Sequence, residues 1–155
     1  MIYTSSHPQS QISIELDEQV LSAIYKHLTA CHPLEGCGIL LGECLDNSDI
    51  ARRWRITEFK PAANRSPNPD RAFTLDPAVW VPCSLSPRLL GIVHNHPVSA
   101  PVPSLEDLKQ LQSFGALIRI YMIVATEHKN PPNHSLYGVQ SGEDLTYLLM
   151  KLQEH

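Results

Sequence analysis

The chain is poor in the features that mark secreted, membrane-spanning or nucleic-acid-binding proteins. Its four cysteines, Cys31, Cys37, Cys44 and Cys83, form no CxxC pair. That spacing excludes a zinc ribbon and gives no disulfide framework, so free thiols in a reduced, cytoplasmic setting are expected. The opening "MIYTSSHPQSQ" has neither a basic start nor an apolar core, and does not read as a signal peptide. No run approaches the ~20 apolar residues that cross a bilayer. A formal net charge of −4 offers no general attraction for nucleic acid or an anionic membrane. The one basic cluster, "ARRWR" at 51–55, alternates with apolar residues and reads as the wet face of a strand.

What is present suits a globular protein. The 155 residues are enough for one real hydrophobic core and too few for two comfortable domains, and 43% hydrophobic against 18% charged residues argues for packing over disorder. One domain over 1–155 is expected, with 1–11 as a flexible tail. In "ELDEQVLSAIYKHL" the apolar residues Val20, Leu21, Ile24, Tyr25 and Leu28 return at helical spacing behind Asp17, a candidate cap. "GCGILLGECL" and "RRWRITEFKPA", joined by "DNSD", read as a hairpin. Residues 61–76, rich in proline and asparagine, read as loop, and "DPAVWVP" as a short helix with Pro77 in its first turn. The pattern then predicts a strand in "RLLGIVHNHP", a helix in "SLEDLKQLQSFG" and a buried strand in "ALIRIYMIVAT". "KNPPNHS" reads as a surface connection, "SLYGVQ" as a short strand, and "GEDLTYLLMKLQEH" as a terminal helix striped by Leu145, Leu148, Leu149 and Leu152. The fold class is therefore α/β (α+β), a single mixed β-sheet flanked by helices.

Chemistry concentrates in "HNHPVSAPVPSLED". On a strand, His94 and His96 share one face and Asn95 turns to the other. Pro97 ends the strand, and Ser104 followed by Asp107 has the spacing of a helix cap and its acidic third residue. Two imidazoles and a carboxylate, with a fourth position open for water, form the ligand pattern of catalytic zinc. Each residue also has a plain structural reading: histidines occur in strands without metal, and Ser104 and Asp107 can simply cap a helix. The remaining histidines, His7, His27, His32, His128, His134 and His155, lack comparable partners and read as surface residues.

Hydrolysis by a metal-bound water requires a proton acceptor. Glu35 in "CHPLEGCGILLG" is the strongest candidate, because it stands at a helix-to-strand junction beside glycines that permit close backbone approach. A cysteine hydrolase built on Cys37 or Cys83 is the competing chemistry, although Cys37 heads an apolar run and suits a buried packing role.

Taken together these segments resemble the JAMM (MPN+) metalloprotease family. Its pattern is an upstream glutamate, then H-x-H-P, six residues and S-x-x-D; here Glu35, His94, His96, Pro97, Ser104 and Asp107 occupy those positions. "NRSPNPDRAFTLDP" also resembles the asparagine-containing loop and following phenylalanine of small prokaryotic members. Asn95 departs from the serine or threonine that many members carry. The resemblance implies an MPN/JAMM-like, cytidine-deaminase-like architecture. It implies one catalytic Zn²⁺ on His94, His96 and Asp107, with Glu35 as general base and Ser104 stabilising the oxyanion. It further implies a zinc-dependent peptidase or isopeptidase acting at the C-terminal tail of a ubiquitin-like or sulfur-carrier protein, with phage-tail or cell-wall peptides, or a non-catalytic scaffold role, as alternatives. The 61–76 loop and Trp80 are candidate walls of a tail groove, Trp80 being equally suited to the core.

Overall fold

The apolar run at Cys37 is long because it is buried on both faces. In the computed structural model, which describes residues 1–5, 11–127 and 131–155, strand β3 (Cys37–Asn47) lies in the middle of a mixed sheet. Around it stand β1 (Ile2–Thr4), β2 (Gln11–Leu16), β4 (Ala51–Ala62), β5 (Leu89–His96), β6 (Ile120–Ala125), β7 (Asn133–Ser141), β8 (Tyr147–Lys151) and β9 (Gln153–Glu154). The order is β8-β7-β6-β5-β3-β4-β2-β1-β9, with β2/β4 and β5/β6 parallel and the other pairs antiparallel. The helices among the described residues are α1 (Glu18–Cys31), α2 (Pro77–Ser84) and α3 (Leu105–Phe114). The expected mixed sheet with flanking helices is what the chain forms. None of the helices is long and apolar enough to cross a membrane.

Alternation along the central strands divides the interior in two. Leu40, Val93, Ile120, Met122 and Val124 join one cluster, where α1 buries Ile24 and Leu28. Ile39, Leu41, Ile92, Tyr121 and Ile123 join the other, where α2 contributes Cys83 and α3 contributes Leu111 and Phe114. Each fully buried Ile or Leu of this kind contributes about 1.5–3 kcal/mol. The two-faced burial explains why β3, β5 and β6 read as apolar runs without a period of two.

Local signals hold at the helix starts. Asp17 caps α1 by accepting from Gln19 N at 2.9 Å, and Asp76 caps α2 ahead of Pro77. Ser104 and Asp107 form a reciprocal capping box on α3, and Gly115 follows its last residue.

Three expectations change. The terminal helix does not form: Glu143–Leu145 is a single tight turn with Asp144 and Leu145 at φ 54° and 60°, and the chain then runs on as β8 and β9. Leu145 is 95% exposed while Leu152 is 3% exposed, so the leucine stripe never faces one surface. The reason is tertiary: β7 and β1 each present an open edge, and the last residues satisfy both. β8 pairs with β7, β9 with β1, and Leu152 between them donates to Leu136 O at 2.9 Å. The sheet thus returns on itself through its final strand, which removes two free edges.

The N-terminal tail is likewise not free over Ile2–Thr4, which pairs with β2 and β9 and buries Tyr3. Residues 6–10, including His7, lie outside the described residues, as do His128 and residues 129–130 of the expected surface connection. Finally, His134 is not a surface residue. It is the second residue of β7 and packs its ring between Tyr3 and Tyr25, with hydroxyl-to-nitrogen distances of 2.7 and 2.5 Å.

Candidate metal centre

Strand pairing brings the site together. β3 and β5 run antiparallel with Cys37 opposite His94, so Glu35, two residues before the first residue of β3, arrives beside the end of β5. α3 follows β5 and swings Asp107 over the same point. This is the carboxyl end of the parallel pair β5/β6, the position where open α/β sheets commonly gather their ligands.

His94 and His96 share a face, as the strand period requires. Glu35, His94 and His96 each offer a ligand atom, and these atoms lie within 4.8 Å of one another. Asp107 completes the set: its Oδ1 is 3.2 Å from His94 Nε2 and its Oδ2 3.0 Å from His96 Nε2. All four side chains are buried.

The donor chemistry fits a cation. His96 Nδ1 donates to Ala100 O at 2.9 Å, so in a neutral ring the lone pair sits on Nε2. That lone pair faces a carboxylate oxygen, an arrangement that repels unless a proton or a metal ion lies between them. His94 Nε2 meets Asp107 without an aligned hydrogen bond, and His94 Nδ1 and Glu35 Oε2 also lack partners. Unsatisfied polar atoms at such depth cost about 1–3 kcal/mol each. Ligation would satisfy His94 Nε2 and relieve the facing lone pairs of His96 and Asp107.

Burial and charge set the protonation of the group. Burial pushes the Glu35 carboxyl up to about 7, with His96 opposing and Asp107 and Asp70 adding to the rise. Burial holds the His94 imidazole below its ordinary value, which keeps the ring neutral as a ligand must be. Burial also works to raise the Asp107 carboxyl, but His94 and His96 hold it far below the usual carboxylate range. For His96 burial pulls downward, and Asp107 together with the Ala100 carbonyl outweighs it.

The supporting contacts are what sequence reasoning saw least clearly. Asn95, on the opposite face of β5, accepts from Gly36 N and donates to Leu34 O at 3.3 Å and Thr126 Oγ1 at 3.0 Å. It therefore grips the residues on either side of Glu35. Asn64 donates to Glu35 O at 2.9 Å, and Glu35 N donates to Pro69 O at 2.7 Å. Gly36 is required by close approach, because a Cβ there would lie 2.6 Å from Cys31 Sγ. Phe73 stacks on the His94 ring at 4.4 Å between centroids. The aromatic in "DRAFTLD" was visible, but nothing local announced the ring it covers.

Ser104 is exposed at the start of α3, where its Oγ accepts from Asp107 N at 3.1 Å. The capping role uses a lone pair and leaves the hydroxyl proton available to another acceptor. Trp80 packs edge-on to Phe114, with ring centroids 6.1 Å apart, and belongs to the core side. The groove beside Glu35, about 620 Å³, is instead lined by Leu34, Ala62, Asn64 and Pro69, drawing on the 61–76 loop. Cys37 is wholly buried and its thiol is pushed up to about 12, mainly by burial, so it is no nucleophile at neutral pH.

The model of the family described as prokaryotic homologs of the JAB domain matches residues 17–137, a span that contains Glu35, His94, His96 and Asp107. The chain belongs to that family. The JAMM/MPN relationship expected from the motif is therefore correct. This prokaryotic JAB-domain protein is 33% identical over 105 residues to a desampylase of Haloferax volcanii, covering 63% of this chain and 70% of that protein. It is 28% identical over 93 residues to the tail tip assembly protein K of Escherichia phage N15, covering 60% of this chain. That second match spans only 34% of the phage protein's length. Among solved structures, a protein from Desulfitobacterium hafniense shares the fold with a TM-score of 0.64 at 22% identity, covering 88% of this chain and 89% of that one. A protein from Salinibacter ruber does so with a TM-score of 0.57 at 23% identity, each chain covered to 88%.

Proposed function

We propose that this JAB-domain protein is a zinc-dependent peptidase or isopeptidase that cuts at the C-terminal tail of a ubiquitin-like or sulfur-carrier protein. The observation that carries the reading is the buried convergence of His94, His96 and Asp107 with Glu35 at their margin. His94, His96 and Asp107 would hold the ion. Zn²⁺, when bound, supplies a Lewis acid that makes water nucleophilic at neutral pH. Glu35, buried and raised toward neutrality, is suited to take the proton from the attacking water and return it to the leaving amine. The Ser104 hydroxyl proton, left unused by the cap, would donate to the oxygen that develops negative charge. Asn95 and Asn64 keep the Glu35 loop against β5, so the base is positioned by backbone contacts on both sides.

The relative named a desampylase supports a ubiquitin-like substrate. The groove beside Glu35 suits an extended, small-residue tail, since its walls come from a strand end and a loop. The relative that is a phage tail tip assembly protein favours a second reading, in which the hydrolysed bond belongs to a phage-tail or cell-wall peptide.

The test is a trap. Glu35→Gln protein is used to retain partners from a cell extract, and the masses of their C-termini are compared before and after treatment with active enzyme, with and without chelator. Capture of a small modifier whose tail shortens only when metal is present supports the proposal. Capture of phage or cell-wall components moves the substrate class, and stoichiometric zinc without turnover of any captured partner supports the scaffold alternative.

A further inference from the structure

The arginines of this chain are almost all neutralised. Arg53, Arg55, Arg65, Arg71 and Arg88 each lie within 3.7 Å of a carboxylate. The two others among the described residues, Arg52 and Arg119, have no such partner there, and both line the same cavity. It measures about 540 Å³, within the usual range of small-molecule sites, and Trp54, Tyr147, Gln140 and Ser141 are among its other lining residues, none of which is Asp or Glu. The "ARRWR" cluster thus splits by parity. Arg53 and Arg55 pair with Glu15 on the wet face, whereas Arg52 shares its face with the buried Trp54.

Both cations spring from fixed backbone. Arg52 stands opposite Ile12 in the β2/β4 ladder, Arg119 N donates to Leu90 O at 2.7 Å, and Arg119 O accepts from Val139 N at 2.9 Å. The cavity is remote from the metal centre. Arg119 precedes the end of β6 that faces Gly91, while His96 faces the other end at Ala125, about 16 Å away at a strand's rise. Two guanidiniums that line one cavity without a carboxylate partner among the described residues, in a chain of net charge −4, suit an anion as their counter-charge. A dianion with several oxygens can accept from both forks at once, and the volume leaves room for a body beyond the anionic group.

We propose that this cavity binds a small organic phosphate monoester, its phosphate between Arg52 and Arg119 and its flat body against Trp54 and Tyr147. The site is separate from the hydrolytic centre and independent of the function assigned to it. The test uses the full chain with adenosine monophosphate, ribose 5-phosphate and inorganic phosphate as probes, followed by calorimetry and amide shifts. Adenosine monophosphate should bind saturably, with inorganic phosphate competing more weakly at the same amides. Arg52→Ala and Arg119→Ala should each reduce affinity about tenfold or more, as the loss of a charge-assisted contact does, with Arg119→Lys intermediate. An unchanged melting midpoint without ligand shows that the variants fold. Glu35→Gln should bind the probe as the native chain does, which separates failure here from failure of the hydrolytic assignment. Absence of saturable binding, or equal binding by the double arginine variant, overturns the proposal. So does displacement of adenosine monophosphate by an acidic peptide at lower concentration, which would make the cavity a protein-docking surface.

Discussion

A carboxylate set against two imidazoles needs a proton or a metal ion between them, and that dictates how single residues should behave. His94→Ala, His96→Ala and Asp107→Ala should each cut zinc affinity sharply, because the proposed ligand set has only these three members. The same variants should keep their far-ultraviolet circular dichroism without metal, since both apolar clusters are complete without the ion. Metal analysis beside the spectrum checks both halves; loss of the fold along with zinc would make the ion structural. Asn95 gives a second expectation. Asn95→Ala removes three buried contacts and strands the Gly36 amide, so about 1–3 kcal/mol of stability should go. Because the ligands themselves remain, zinc content should survive while turnover falls about 10–100-fold through a displaced Glu35. Urea titration, metal analysis and single-turnover rates would separate these effects.

Elements carry their own tests. Asp17 caps α1 with one side-chain contact to Gln19 N, so Asp17→Ala should cost about 1 kcal/mol while Asp17→Asn is near neutral. The closing strand offers a sharper contrast. Leu152→Ala, close to the C-terminus, should cost about 2–5 kcal/mol because the side chain sits in the core between β8 and β9. Leu145→Ala, on the exposed turn, should change stability by less than about 0.5 kcal/mol. A helix with its leucine stripe inward would make the two costs similar, so denaturation of both variants discriminates strand from helix directly.

At the scale of the whole molecule, His134 ties β1, α1 and β7 together through Tyr3 and Tyr25. A neutral ring donates from one nitrogen and accepts at the other; a protonated ring can only donate. Burial holds its pKa below the ordinary 6.5, with Glu154 opposing. As pH falls, the unfolded chain therefore takes up this proton first. The contribution is present above the ordinary histidine value and is lost as pH falls through it toward the folded value. His94, also held low by burial, acts in the same direction. Glu35 and His96, both held above their ordinary values, act in the opposite direction over the same range. The His134 contribution is therefore the difference in unfolding free energy between the native chain and His134→Gln, measured from about pH 8 to about pH 5, and that difference should move against the native chain as pH falls. Equal slopes would show that the tyrosine clamp does not titrate.

Much of this protein was readable residue by residue. The capping residues Asp17, Asp76 and Ser104, the stop at Gly115 and the shared face of His94 and His96 are local consequences of backbone geometry, and each appears in the structure where its neighbours in sequence place it. The spacing of Glu35, His94, His96, Ser104 and Asp107 was equally visible, though not which atoms would meet. What only tertiary structure decided depends on partners far along the chain. Asn95 grips Leu34 and Gly36 because β3 and β5 pair in one register, and Phe73 covers His94 because a loop returns over the sheet. His134 finds two tyrosines from β1 and α1, and Arg53 pairs with Glu15 while Arg52 lines the cavity beside Trp54. The terminal leucines satisfy a helical period and a strand equally well on paper. Open edges at β7 and β1 settled the matter, because a buried amide or carbonyl without a partner costs more than a weak local preference can supply.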